Sequence, residues 1–244
     1  MNFKEWLETA TKSDGTYLSK RTINHYYNGF EITSKEMYDS GVINKSLFDM
    51  KLNELDLALS LIFNDESFIE KNQIGHNMYS NGLKRYRCFV FLNTDLGISE
   101  LAEEVIINND ATLTSTEKEM VIKARIGQGL YRDNLIEKYC HKCIITNIDL
   151  SQVLIASHIK PWAICNNQER VDVNNGLLLS ATYDRLFDSG LITFTKKGEI
   201  KLSKMINSNN ASKLNLKNGI VYNIGYKSDM SKYLLYHNEY IFVD

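Results

Sequence analysis

Residues 154–190 read LIASHIKPWAICNNQERVDVNNGLLLSATYDRLFDSG, and this stretch decides the fold. Leu154 to His158 is a short apolar run of strand type that ends on a histidine. Asn174-Asn175-Gly176 marks a loop, and Leu177-Leu178-Leu179 follows as a second apolar run. Ala181 to Asp188 reads as a helix that stops at Ser189-Gly190. Asp184 and Asp188, at i and i+4, share one face of that helix. Asp188 falls near the helix C-terminus, where the dipole disfavours negative charge by roughly 0.3–1 kcal/mol. A second carboxylate one turn earlier adds repulsion, and a bound cation offsets both terms.

These residue types in this order suit single-metal phosphodiester hydrolysis. The histidine takes a proton from water, the asparagine orders the loop that carries it, and helix carboxylates hold a divalent cation. Each residue alone also has a structural reading: a hydrogen-bonded histidine, an Asn-Gly turn, a solvated helix face.

Working outward, Cys143 to Thr146 is expected as a strand, with Asn147-Ile148-Asp149 as its turn. Leu191 to Phe194 and Ile200 to Leu202 form a hairpin across Lys196-Lys197-Gly198. Upstream, Leu130 to Tyr139 reads as helix, and Thr116-Glu117-Lys118-Glu119 has the capping-box pattern of a helix running toward Arg125. The first ~92 residues are mostly helical. Phe3, Trp6, Leu7 and Ala10 recur at helical spacing, as do Leu52, Leu55, Leu59 and Ile62, and later Met78, Leu83, Tyr86 and Val90. Ser19 caps a helix from Lys20 into Tyr27, and Ser67 to Asn72 reads as a polar turn. The expected fold class is α+β: a mainly helical domain over 1–115, then a domain over 116–244 with strands near its end.

The chain has 244 residues, 43% hydrophobic and 24% charged, which excludes dominant disorder. No run approaches ~18 apolar residues, so no membrane span is expected. Met1 to Glu8 is followed by no apolar segment of signal-peptide type, and the expected location is cytoplasmic. Residues 1–115 carry 11 Lys and Arg against 17 Asp and Glu, whereas 116–204 carry 13 against 10. A phosphate-binding surface is therefore expected in the second half or in local basic clusters.

Five motifs in order resemble the HNH endonucleases of the ββα-metal fold, especially those of restriction systems. They are Arg125-Ile126-Gly127-Gln128-Gly129-Leu130-Tyr131-Arg132, Cys143-Ile144-Ile145-Thr146, Ala156-Ser157-His158-Ile159-Lys160-Pro161-Trp162, Asn175-Gly176-Leu177-Leu178-Leu179 and Leu186-Phe187-Asp188-Ser189-Gly190. The stretch Lys232-Tyr233-Leu234-Leu235-Tyr236-His237 is similar to the family's tail, so the resemblance covers roughly 116–244. It implies a metal-dependent endonuclease acting on double-stranded DNA. His158 matches the general base, Asn175 the middle asparagine, and Asp184 the third family position, with Asp188 as a second metal ligand. Aspartate favours Mg²⁺ or a similar ion such as Mn²⁺. The family often has a metal ligand just before the base, where this chain has Ser157.

Arg125, Gln128 and Arg132 either contact DNA or buttress the fold. Lys160, two residues beyond His158 on the same strand face, is a phosphate contact. Cys140, Cys143 and Cys165 fit reduced thiols better than structural zinc. Tyr17 to Tyr27 resembles the opening helix of the DNA-clamping domain of tyrosine recombinases, and Asn72 to Tyr86 resembles an element that precedes restriction-type HNH domains. Lys20-Arg21 and Lys84-Arg85-Tyr86-Arg87 are basic clusters, and Lys84 and Arg85 are expected on DNA. Cutting both strands implies a homodimer. A modification-dependent or other phage-defence nuclease, and a non-catalytic DNA-binding protein on a nuclease core, remain open alternatives.

Overall fold

The computed structural model describes residues 1–94 and 129–244. The capping box at Thr116, Arg125, Gln128 and the expected domain boundary at 115 lie outside these residues.

Five helices occupy the first part: α1 (Phe3–Thr9), α2 (Lys20–Asp39), α3 (Leu52–Phe63), α4 (Glu66–Ile74) and α5 (Met78–Asn93). Ser19 caps α2 through the Thr22 amide, and the helix runs well past Tyr27. Its apolar face buries Ile23, Phe30 and Met37. Phe30, fully buried, stacks on Tyr86 of α5 with ring centroids 4.0 Å apart and meets Phe3 of α1 edge-on at 5.4 Å. Burying one such ring stabilises the fold by roughly 1.5–3 kcal/mol. Ser67 to Asn72, expected as a turn, lies inside α4. Asp65 caps that helix through the Phe68 amide, and Phe68, 2% exposed, anchors it to the core. Burial of one aromatic side chain there outweighs the polar local composition.

The second part places α6 (Leu130–Lys138), β1 (Leu154–His158), a short α7 (Asn167–Val171), β2 (Gly176–Ser180) and α8 (Ala181–Asp188) in chain order. β1 and β2 are antiparallel, with Ser157 opposite Leu177 and His158 opposite Gly176. A second hairpin joins β3 (Ile192–Phe194) to β4 (Ile200–Leu202), followed by α9 (Ser208–Lys213) and α10 (Met230–Tyr236). Cys143 to Thr146 is not a strand. The Asn147 amide donates to the Cys143 carbonyl and the Cys143 amide to the Ile148 carbonyl, which closes the run into a turn, with Asn147 at φ 58°. Cys143 is nevertheless buried, and its sulfur accepts from the Ser180 amide at 3.3 Å.

The two parts share side chains and backbone bonds. Val243 is buried in the helical core, and partly buried Tyr240 and Leu191 pack against that core. Arg87 of α5 is 3% exposed and grips Asp56 of α3 with two bonds, Nε to Oδ1 at 2.6 Å and Nη2 to Oδ2 at 3.2 Å. Its third nitrogen, Nη1, donates to the Asp188 carbonyl at 2.7 Å. Burial works against this charge, but Asp56 more than offsets it and holds the guanidinium above its ordinary pKa. Of the expected basic cluster on α5, Arg87 is thus committed to the interior, and Arg85 is buried as well, whereas Lys84 is only partly buried.

Asp56→Ala leaves the Arg87 charge buried without its carboxylate. It is expected to cost about 3–5 kcal/mol in urea unfolding. A loss below 1 kcal/mol would mean that the pair does not hold α3 to α5.

Candidate functional site

The hairpin β1–β2 lies between α6 and α8, and strand alternation sends successive side chains of β1 to opposite faces. His158 faces α6, where its ring stacks on Tyr131 at 4.4 Å and 11°. Gly176, its cross-strand partner, lies against the same helix, and a Cβ there would collide with the Tyr131 hydroxyl and with Leu135. This glycine is set by the close approach of α6. Its φ of −145° is ordinary extended backbone.

His158 Nε2 lies 2.9 Å from the Arg170 carbonyl of α7. A carbonyl only accepts, so Nε2 carries the proton, and Nδ1 is the basic nitrogen of the neutral ring. Asn175, fully buried, ties the flanking loops together. Its Oδ1 accepts from the Lys160 amide at 2.9 Å, and its Nδ2 donates to the Glu169 carbonyl at 3.1 Å and to Cys165 Sγ at 3.2 Å. Its carbonyl accepts from the Ile159 amide at 3.0 Å and the Tyr131 hydroxyl at 3.2 Å. Burial raises the Tyr131 pKa well above its usual value and keeps that hydroxyl a donor.

Ser157 is 3% exposed and faces α8, where its hydroxyl donates to Asp188 Oδ1 at 3.4 Å. Asp184 stands one turn earlier on the same helix, half-buried like Asp188. Among the described residues no three His, Cys, Asp or Glu side chains are arranged to hold a metal ion. The α8 face offers hard oxygens: two carboxylates one turn apart and a serine hydroxyl. Mg²⁺-class ions are commonly held by one or two carboxylates, with water and substrate phosphate completing the shell, so this donor set fits such an ion.

The other expected residues divide by location. β1 ends at His158, so Lys160 follows the strand, and its Nζ pairs with Glu169 at 2.7 Å. Arg132 donates to the carbonyls of Leu154 and Ser151 at 2.8 and 2.9 Å, which braces the start of β1. Lys84 and Arg85 belong to α5, apart from the α6–β1–β2–α8 group. Cys140 is exposed, whereas Cys143 and Cys165 are buried and accept hydrogen bonds from Ser180 and Asn175. Sequence reasoning missed the Arg170 carbonyl, which no side-chain pattern reveals, and Tyr131, which stood in the open beside Arg132.

His237 was also missed as a support of α8. It is 1% exposed and stacks on Phe187 at 3.9 Å. Nε2 donates to the Phe187 carbonyl at 3.0 Å, and Nδ1 accepts from the Thr193 hydroxyl at 2.8 Å. Gly190, at φ 78°, ends α8 and packs so closely on the Ile241 carbonyl that a Cβ would not fit.

Residues 143–195 match the family model described as HNH endonuclease. That segment contains β1, β2, α8 and β3, and it supports a nuclease. No curated protein matched the chain. No helix among the described residues is long and apolar enough to cross a membrane.

Burial pushes the His237 pKa down to about 3, and the positive charges of Arg87 and Lys84 add to this against the Phe187 hydrogen bond. The unfolded chain takes up this proton near the ordinary value of about 6.5, while the folded chain refuses it. Stability is therefore expected to fall by about 1.4 kcal/mol per pH unit below that value, down to the folded pKa. Urea unfolding between pH 7 and 4 measures this. His237→Gln is expected to be less stable at pH 7 and to show a shallower slope, and an unchanged slope would assign the acid sensitivity to other groups.

Proposed function

We propose that this chain is a ββα-metal endonuclease that uses a divalent cation to hydrolyse double-stranded DNA within a restriction system. The observation that carries this reading is the hydrogen bond from His158 Nε2 to the Arg170 carbonyl. It leaves Nδ1 as the basic nitrogen, on the residue adjacent to Ser157 and its hard-oxygen neighbours. The family match over residues 143–195 supports the same chemistry.

In this reading His158 is the general base. Nδ1 takes a proton from the attacking water as the new P–O bond forms and the P–O bond to the leaving oxygen breaks, that oxygen taking a proton from solvent. Tyr131 holds the ring plane by stacking, and Asn175 fixes the loop that supplies the following residues. Asp184 and Asp188 would hold Mg²⁺ or Mn²⁺, which when bound stabilises the negative charge developing on the phosphate and the leaving oxygen. Lys160 contacts a neighbouring phosphate by exchanging its Glu169 partner. Two copies related by a two-fold axis would address the two antiparallel strands.

Supercoiled plasmid with Mg²⁺, with and without chelator, tests the reaction. His158→Ala is expected to abolish nicking while the fold and DNA binding are kept. Near-normal turnover by the folded variant would remove His158 from the base role. Asp184→Ala is expected to weaken Mg²⁺ binding in calorimetry at least tenfold. Unchanged affinity would place the ion elsewhere. Light scattering on a cleaved duplex is expected to give two chains per duplex, and one chain making double-strand breaks in a single binding event would exclude the dimer.

A further inference from the structure

None of the residues of the α6–β1–β2–α8 group lines a cleft of about 800 Å³ between the helical part and the C-terminal segment, but Lys84 and Arg85 do. One wall comes from α2, α4 and α5, and the other includes Lys204, Glu239 and Tyr240. Arg85 lines it and is 3% exposed. Its guanidinium lies over the Tyr26 ring, 4.5 Å from the centroid, and Nη2 donates to the main-chain oxygen of Asp244 at 3.2 Å. Nε and Nη1 are buried without a hydrogen-bond partner. Buried donors almost always find an acceptor, and two unmet donors on one permanent cation call for an anion.

The rest of the cleft narrows the class. Lys84 lines it next to Arg85, and burial pushes its amine down to about 8 against the pull of Asp244 and Glu239. Four side-chain amides, Asn72, Gln73, Asn77 and Asn81, line the same space; Asn72 donates to Asn77 Oδ1 at 3.2 Å and accepts from the Ser80 amide at 3.0 Å, which leaves Gln73 and Asn81 as the amides to meet a ligand. Side-chain amides offer paired donors and acceptors of the kind that read the edge of a nucleobase. The space exceeds what inorganic phosphate alone would need. We propose that this cleft binds one nucleotide unit, with its phosphate on Arg85 and Lys84 and its base against the amides. The site is separate from the cleavage chemistry and does not depend on His158. A nucleotide turned out of a DNA strand and a free nucleotide present the same chemistry.

Two titrations of the full chain separate these sources. Calorimetry with each of the four deoxynucleoside 5′-monophosphates at low salt reads the free nucleotide. Fluorescence anisotropy with labelled duplex DNA across a salt series reads the strand. Lys84→Gln is expected to weaken binding at least tenfold in whichever titration detects the cleft. In the duplex series it is expected to flatten the log–log salt slope by about 0.9. Gln73→Trp, at an exposed wall position, is expected to block the cleft sterically and serves if Lys84→Gln does not fold. Saturable monophosphate binding lost in either variant supports a free-nucleotide site, and an effect on duplex alone supports a strand nucleotide. No monophosphate binding together with unchanged duplex binding in a folded variant overturns the proposal. Plasmid nicking by the unaltered protein is scored alongside. Nicking without any cleft effect sinks this proposal alone, and monophosphate binding without nicking sinks the nuclease reading alone.

Discussion

The three-way grip of Arg87 is the constraint on which the two parts of the molecule depend. One buried guanidinium satisfies the Asp56 carboxylate with two nitrogens and the Asp188 carbonyl with the third. The first contact fixes α5 against α3, and the second fixes the end of α8 against both. A buried cation is tolerated only when its donors are met and its charge is balanced. The geometry of α8, and with it the placement of Asp184 and Asp188, is thereby tied to a pair of helices far away in sequence. His237 and Gly190 hold the same helix end from the other side.

Around that anchor, the short strand β1 divides the chemistry by its pleat. One face carries the imidazole, held by a ring stack and a carbonyl. The other face carries the serine hydroxyl and, through α8, the carboxylates. Asn175 makes this arrangement rigid by filling its hydrogen-bond capacity with groups from both flanking loops.

Local signals made β1, β2 and α8 legible, because apolar runs, an Asn-Gly loop and a terminating glycine are written within a few residues of where they act. The same rules misread Cys143 to Thr146, whose apolar run closes into a turn around a positive-φ asparagine. They also misread Ser67 to Asn72, where polar composition hid the buried Phe68. Long-range partners were out of reach. Arg87 meets Asp56 across 31 residues and Asp188 across 101, so one arginine of a basic run that looks like a surface patch is an interior clamp. For the candidate site, His158, Asn175 and the α8 carboxylates could be named from the sequence. The carbonyl that sets the imidazole tautomer could not, since every residue carries one.

The burial of Val243 within the helical core has a consequence for biosynthesis. Chains grow at roughly 5–20 residues per second, and early segments begin to fold as they emerge. About 150 residues separate the end of α5 from Val243, which corresponds to roughly 8–30 s of synthesis at those rates. Throughout that interval the first helices lack a side chain that completes their interior, and until Asp188 is made the Arg87 clamp lacks its third acceptor. The nascent helical part must persist as an unfinished scaffold until residue 243 has left the ribosome, so its surface near Phe63, which Tyr240 covers in the finished fold, is a stretch for a chaperone to shield.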